Sequence, residues 1–258
     1  MDYETILARI EGGIGIITLN RPEVMNALNK QMRAELTHAL KDIGARSRVL
    51  VLTGAGRAFC SGQDLGDGGN AAQIDLERTL REEYEPMLRA IYDAPVPVIA
   101  AVNGSAAGAG ANLALAADVV IATQSASFIQ AFSRIGLIPD AGGTWFLPRQ
   151  IGFARAMGAM LFAEKFTAQQ AADWGMIWEV AADDSFENAW MARAQALAEG
   201  PTVAYRNIRK ALRTSLANSL DAQLALEANL QAEAGKTRDF QEGVLAFLEK
   251  RPATFEGR

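Results

Sequence analysis

The sequence predicts an α/β core followed by an all-helical tail, and three observations carry that expectation. Short apolar runs bounded by turn residues, at 49–52 and 97–102, read as strands buried on both faces, the pattern of a parallel sheet. Segments of helical period stand between them. From about 185 to 250 only helical patterning remains, broken near Gly200-Pro201 and Gly235.

In chain order, residues 5–10 and 14–19 flank Gly12-Gly13 and predict a β-hairpin with a glycine turn. Asn20-Arg21-Pro22 ends its second strand. Met32, Leu36, Leu40 and Ile43 fall on one face and predict a helix over 30–43. The strand at 49–52 stops at Thr53-Gly54, and a helix over 74–92 stops before Pro95. The strand at 97–102 is followed by the turn Asn103-Gly104, a helix up to Ala117 and a strand at 118–122. After residue 140 the pattern is mostly helical, with one strand near 176–180. Thr167 is a good N-cap for a helix that Gly175 ends. The expected division is a core over 1–195 and a helical region over 196–258.

The chain has 258 residues, 50% hydrophobic and 21% charged. A chain of that size buries about 70–75% of its unfolded surface, enough for a full core. Twenty-five Lys and Arg against thirty Asp and Glu give a net charge of −5, which argues against nucleic acid or an anionic membrane as partner. Asp2, Glu4, Arg9 and Glu11 spoil a signal-peptide reading. Residues 94–117 carry no charge, but Pro95, Pro97, Asn103 and several glycines interrupt them, so strand, turn and small-residue helix fit better than a membrane span. A soluble, cytoplasmic protein is expected. With one cysteine, Cys60, there is no intramolecular disulfide and no multi-cysteine metal site. With one histidine, His38, any histidine-based triad or metal site would have to use it. No metal ligand set is expected.

Gly235-Lys236-Thr237 resembles the end of a Walker A loop, but Leu230 stands where its first glycine belongs. Gly54-Ala55-Gly56 follows a strand, but Phe59 replaces the third glycine of a dinucleotide fingerprint. His38 reads as a solvated surface side chain and Cys60 as a small buried filler.

Three segments are not explained by packing: residues 56–65, 103–111 and 137–144. The first two are glycine-rich turns after buried strands. Such loops let main-chain N–H groups face a ligand, and two together can aim two donors at one oxygen. Tight packing between layers is the competing reading. In the third segment, Asp140 stands between Pro139 and Gly142-Gly143, and reads either as an N-cap for the helix beginning near Gly142 or as a base.

These segments resemble the enoyl-CoA hydratase/isomerase (crotonase) superfamily over essentially the whole chain. Asn20-Arg21-Pro22 with Asn26-Ala27-Leu28 is similar to its first substrate-contacting loop. Gly62-Gln63-Asp64-Leu65 and Ala107-Gly108-Ala109-Gly110 are similar to its two oxyanion loops. Residues 52–57, 136–145 and 174–178 lie closer to the branch that isomerises ring-epoxide CoA esters. The resemblance implies a spiral of ββα units, with C-terminal helices that build trimers or dimers of trimers. It implies an acyl-CoA substrate and no cofactor beyond the substrate's own coenzyme A. The main-chain N–H groups of Gln63 and Ala109 would hold the thioester oxygen, with Asp140 as the base. Ala27, Ala58, Ser61 and Gly62 would meet adenine and pantetheine, and Arg21 or Lys250 the phosphates. Asp64, Leu65, Gly110, Asn112, Phe132 and Trp145 complete the expected contacts, with Phe132 and Trp145 lining the pocket that desolvates Asp140. Hydratases carry glutamates where this chain has Asn112 and Phe132, so the resemblance implies proton transfer within the substrate rather than addition of water. The alternatives are a Δ3,Δ2-enoyl-CoA isomerase, then a dehalogenase or a hydratase of the same superfamily, and, from another class, a non-catalytic scaffold.

Overall fold

The computed structural model describes residues 3–66 and 75–258. Strands β1 (Ile6–Glu11) and β2 (Ile14–Leu19) form the expected antiparallel hairpin. Helix α1 (Lys30–Gly44) begins where Asn29 accepts a hydrogen bond from the Met32 N–H, and it buries Met32, Leu36, Leu40 and Ile43 as the spacing predicts. Strand β3 (Val49–Gly54) and a short β4 (Ala58–Cys60) follow. The helix expected over 74–92 is present as α2 (Leu76–Thr79), a π-helical stretch at Leu80–Tyr84, and α3 (Glu85–Tyr92). Its expected start at Ile74 lies outside the described residues.

Next come β5 (Val98–Val102), β6 (Ser105–Ala107), α4 (Ala109–Leu115), β7 (Val119–Thr123) and β8 (Ser127–Ile129). A 3₁₀ turn at Ala131–Ile135 leads to α5 (Gly143–Ile151) and α6 (Phe153–Phe162). Strand β9 (Phe166–Thr167) runs into α7 (Ala168–Asp173), where Thr167 and Gln170 form a complete capping box and Gly175 adopts φ +79° just beyond the helix. The strand expected at 176–180 is β10 (Glu179–Ala181), displaced toward its C-terminus. Helices α8 (Phe186–Ala198), α9 (Thr202–Ser215), α10 (Leu220–Ala234) and α11 (Arg238–Glu249) finish the chain.

The strands form two sheets. The larger has the order β1-β2-β3-β5-β7-β10, parallel from β2 onward, and the smaller has the order β4-β6-β8-β9. Each of β3, β5 and β7 hands the chain to a three-residue strand of the second sheet, so the chain winds as a spiral of ββα units. The short strands β4, β6 and β8 were not foreseen, and β6 replaces the first turn of the helix expected directly after Asn103-Gly104. Three residues are too few to express a period of two.

One face of the larger sheet packs on α1 and α3 and encloses the main core, including Ile17, Leu50, Leu52, Phe59, Ala100 and Phe128. The other face buries Ile16, Val51 and Ile99 against Phe186, Trp190, Ala194 and Ala198 of α8. The division expected between 195 and 196 therefore falls inside α8, a helix of the sheet layer. Helices α9 to α11 leave Leu212, Leu216, Leu220, Phe247 and Leu248 exposed. No described helix is long and apolar enough to cross a membrane.

Candidate active site

The first loop is stitched to β4 by a buried amide. Asn26 has φ +55°, and its Nδ2 donates to the carbonyls of Ala55 at 2.9 Å and Ala58 at 2.8 Å, while its Oδ1 accepts the Arg21 N–H. Beside it the Ser61 N–H donates to the Met25 carbonyl at 3.0 Å. Arg21 forms an ion pair with Asp64 at 2.8 Å and donates to the Ala27 carbonyl at 2.7 Å. Burial raises the Asp64 carboxyl, but the Arg21 hydrogen bond and charge and the Gly66 N–H hold it below its ordinary value. Arg21 is thus engaged within the protein. Its guanidinium braces the loop expected to carry coenzyme A.

The second loop is aimed by a single parallel bridge between Leu28 and Gln63. The Leu28 N–H donates to the Gly62 carbonyl at 2.8 Å, and the Asp64 N–H donates to the Leu28 carbonyl at 3.2 Å. Because the C=O and N–H of one trans peptide point in opposite directions and the Gly62 carbonyl faces Leu28, the Gln63 N–H faces away from it. On that flank Gly62, at φ +93°, lies so close to the next loop that a Cβ would stand 2.8 Å from the Ala107 carbonyl and 3.4 Å from the Ala109 nitrogen. Only glycine fits there. Ala109 opens α4, so its N–H has no acceptor within the helix. This contact brings the Gln63 loop against the start of α4, where the Gln63 and Ala109 amides are the expected donors to one carbonyl oxygen.

The Gln63 side chain is also fixed. Its Oε1 accepts from the Tyr84 hydroxyl at 2.5 Å and from buried Arg33 at 3.1 Å, and Arg33 pairs with Glu83 at 2.6 Å. Gly110, the second residue of α4, rests on the buried thiol of Cys60. Phe132 is buried with its ring against Gly108.

The third loop carries Asp140. Helix α5 starts at Gly143 with Gly142 as its N-cap and without a side-chain capping bond, so Asp140 is not a cap. Its Oδ1 is buried with no hydrogen-bond partner among the described residues. Desolvation by burial pushes the carboxyl up to about 6, against an ordinary value of 3.8. The Asp140 carbonyl accepts from the Gly143 N–H and from the Asn112 Nδ2, both at 2.8 Å.

Asp140 opens on a cavity of about 510 Å³ walled by Leu88, Trp145 and Phe146 together with Tyr84 and Tyr92. Trp145 stands edge-on to Tyr92 with centroids 5.8 Å apart and edge-on to Phe146 at 5.0 Å. Trp145 is therefore in the wall as expected. Phe132 is not, because it packs from the side of the oxyanion loops. Ala27 and Ala58 are buried, Ser61 donates to the Val24 carbonyl, and Leu65 is exposed. Lys250 ends α11 in a left-handed C-cap and does not line the cavity. Sequence reasoning missed Tyr84, Tyr92 and Phe146. The signal was the i, i+4 ridge Leu80, Tyr84, Leu88 and Tyr92, which reads as ordinary core until the ridge is seen to face a cavity. Among the described residues no group of His, Cys, Asp and Glu is placed to hold a metal.

The sequence matches the family model described as Enoyl-CoA hydratase/isomerase over residues 9–258. It is 64% identical over 258 residues to a Rhodobacter capsulatus protein named "Probable enoyl-CoA hydratase", covering 100% of both chains. It is 47% identical to the 1,2-epoxyphenylacetyl-CoA isomerase of Escherichia coli K12, covering 99% of both. Among solved structures, an enoyl-CoA hydratase from Bacillus anthracis superposes with a TM-score of 0.91 at 32% identity, covering 99% of this chain and 100% of that one.

Proposed function

This chain belongs to the enoyl-CoA hydratase/isomerase family, and we propose that within it the protein is an isomerase that moves a proton from the α-carbon of a CoA thioester to the γ-carbon. The observation that carries this reading is the single desolvated carboxylate of Asp140, a residue that lines an apolar aromatic cavity and whose Oδ1 is buried without a hydrogen bond among the described residues.

The N–H groups of Gln63 and Ala109 receive the thioester oxygen. As Asp140 takes the α-proton, the C–H electron pair moves into the enolate, whose charge those two donors stabilise. Loss of one such donor costs about 3–4 kcal/mol in the barrier. Asp140 then returns the proton at the γ-carbon, and the C=C bond ends in conjugation with the thioester. The reaction needs no cofactor beyond the coenzyme A of its substrate. Addition of water would call for a second acid. The other carboxylate on the wall, Glu85, is exposed at its edge.

The favoured substrate is ring-1,2-epoxyphenylacetyl-CoA, converted to oxepin-CoA in phenylacetate catabolism. The epoxide interconverts with its seven-membered oxepin, and moving the side-chain α-proton to a ring carbon fixes the product. The aromatic wall and the E. coli relative support this choice. A Δ3,Δ2-enoyl-CoA isomerase would use the same base. Hydration is the reading favoured by the name of the R. capsulatus relative. Adenine and pantetheine lie along Ala27, Ala58 and Ser61-Gly62, and the exposed apolar faces of α9 to α11 are covered in a cytoplasmic homotrimer or dimer of trimers.

Turnover of the ring-epoxide ester, a 3-enoyl-CoA and a 2-enoyl-CoA, compared side by side, tests the reading. Isomerisation of the first or second without hydration of the third is expected. Hydration as the fastest reaction would overturn it. Asp140→Asn should still bind the ester but stop α-proton exchange with deuterated water.

A further inference from the structure

Asn112 is completely buried in α4 among alanines and leucines, where an amide is costly unless both its ends are bonded. Both ends are. Its Nδ2 donates to the Asp140 carbonyl at 2.8 Å, and its Oδ1 accepts from Gln130 Nε2 at 2.8 Å. Gln130, at the end of β8, is itself buried. Its donor fixes which way the Asn112 amide faces, because the reverse orientation would set that amide's oxygen against the Asp140 carbonyl.

The seat around this contact is tight. Gly143 leaves room for Asn112: a Cβ there would stand 2.4 Å from its Nδ2. The Gly143 N–H takes the remaining lone pair of the same carbonyl. Ala141, the next residue after Asp140, is held at φ +47°, a conformation that costs a non-glycine residue energy. The main chain of Asp140 is thus pinned from two sides, while the residue lines the cavity and its Oδ1 accepts no hydrogen bond among the described residues.

We infer that Gln130 and Asn112 are positioning residues for the reaction, a two-amide relay that holds the Asp140 main chain so that its carboxylate meets the substrate α-carbon. The inference rests on the reading of Asp140 as the base. A purely structural role fits the bonding less well. Gln130 Oε1 is buried with no partner among the described residues, so the pair buries an acceptor that an apolar pair of equal volume would not. The donor side of Gln130 is what that cost retains.

The test uses the full-length protein and its best CoA-ester substrate, with kcat, KM, α-proton exchange into deuterated water and thermal melting read together. Gln130→Leu and Asn112→Ala each remove one donor of the relay, the first with little change in volume. Each is expected to lower kcat and exchange by about tenfold to a hundredfold, the size of effect a misplaced base produces, with KM nearly unchanged. The double variant Gln130→Leu/Asn112→Ala should cost no more than Asn112→Ala alone, since the first residue acts only through the second. Gly143→Ala crowds Asn112 from the opposite side without removing a polar group, and reads the same geometry if the buried variants fold poorly. The relay is overturned if these variants lower only the melting temperature, or if the two substitutions multiply in kcat. Asp140→Asn run alongside separates the two failures. Exchange persisting in that variant defeats the base reading, whereas exchange lost there and untouched in Gln130→Leu defeats the relay alone.

Discussion

The Tyr84 hydroxyl donates a 2.5 Å hydrogen bond to Gln63 Oε1, joining the π-helical stretch beside the cavity to the residue proposed to offer its main-chain N–H to the thioester oxygen. The Arg33 guanidinium lies over the Tyr84 ring at 5.0 Å and donates to the same oxygen. Tyr84→Phe removes one of two donors and leaves Arg33 to satisfy Gln63. A single buried hydrogen bond of this kind contributes about 1 kcal/mol, so kcat/KM should fall by roughly threefold to tenfold. Steady-state kinetics beside a melting curve check this. An unchanged kcat/KM with a lowered melting temperature would make Tyr84 a packing residue only.

Asp140 governs two pH dependences of opposite sense. As a base it must be ionised, and its carboxyl is raised to about 6 by burial, so kcat/KM should climb through about pH 6 and level off above it. Stability runs the other way. The folded state holds this proton more tightly than the unfolded chain, whose value is near 3.8. The stabilisation is therefore complete below the unfolded value and is lost as pH rises through about 6. Asp140→Asn should consequently melt above the wild type at pH 8 and lose that advantage near pH 4. Melting curves at the two pH values measure it, and a variant destabilised equally at both would contradict the desolvated carboxylate.

The large sheet was legible because its strands are runs such as Val49 to Leu52 that nothing but a two-sided burial explains. Helix α1 was legible from one apolar stripe, and α7 from a single capping residue. The breaks at Gly200-Pro201 and Gly235 separate α8 to α11 as expected, but the break between Ser215 and Leu220 was missed, since only the Ser219 N-cap marks it. The second sheet was invisible because β4 and β6 sit inside glycine-rich loops that advertise flexibility rather than pairing, and the three residues of β8 are too few to show a period. At the site, the three loops were found by their glycines. What binds them together was not, because Asn26, Arg33 and Gln130 act through main-chain carbonyls and amides far away in sequence, which leave no local pattern.

Cys60 is fully buried, its thiol pushed up to about 12 by desolvation, and its Sγ donates to the Asn26 carbonyl at 3.2 Å. A thiol so placed is inert. The native protein should leave an aromatic disulfide reagent unreacted at pH 8, and the denatured chain should consume one equivalent. Rapid reaction of the folded protein would mean that the layer between β4 and α4 opens.

The aromatic wall makes a sharper demand on substrate choice. Trp145 is about two-fifths exposed, held edge-on to Tyr92 and Phe146 with the Arg149 guanidinium 4.3 Å above its ring. An aromatic contact of this geometry adds about 0.5–1.5 kcal/mol beyond the area it buries. Trp145→Ala should therefore lower kcat/KM for the ring-epoxide ester by roughly twofold to tenfold more than for a short linear 3-enoyl-CoA. The informative quantity is the ratio of the two, since loss of general packing would depress both together. A ratio left unchanged would mean that the wall only excludes water from Asp140, and that selection among acyl groups lies elsewhere in the cavity.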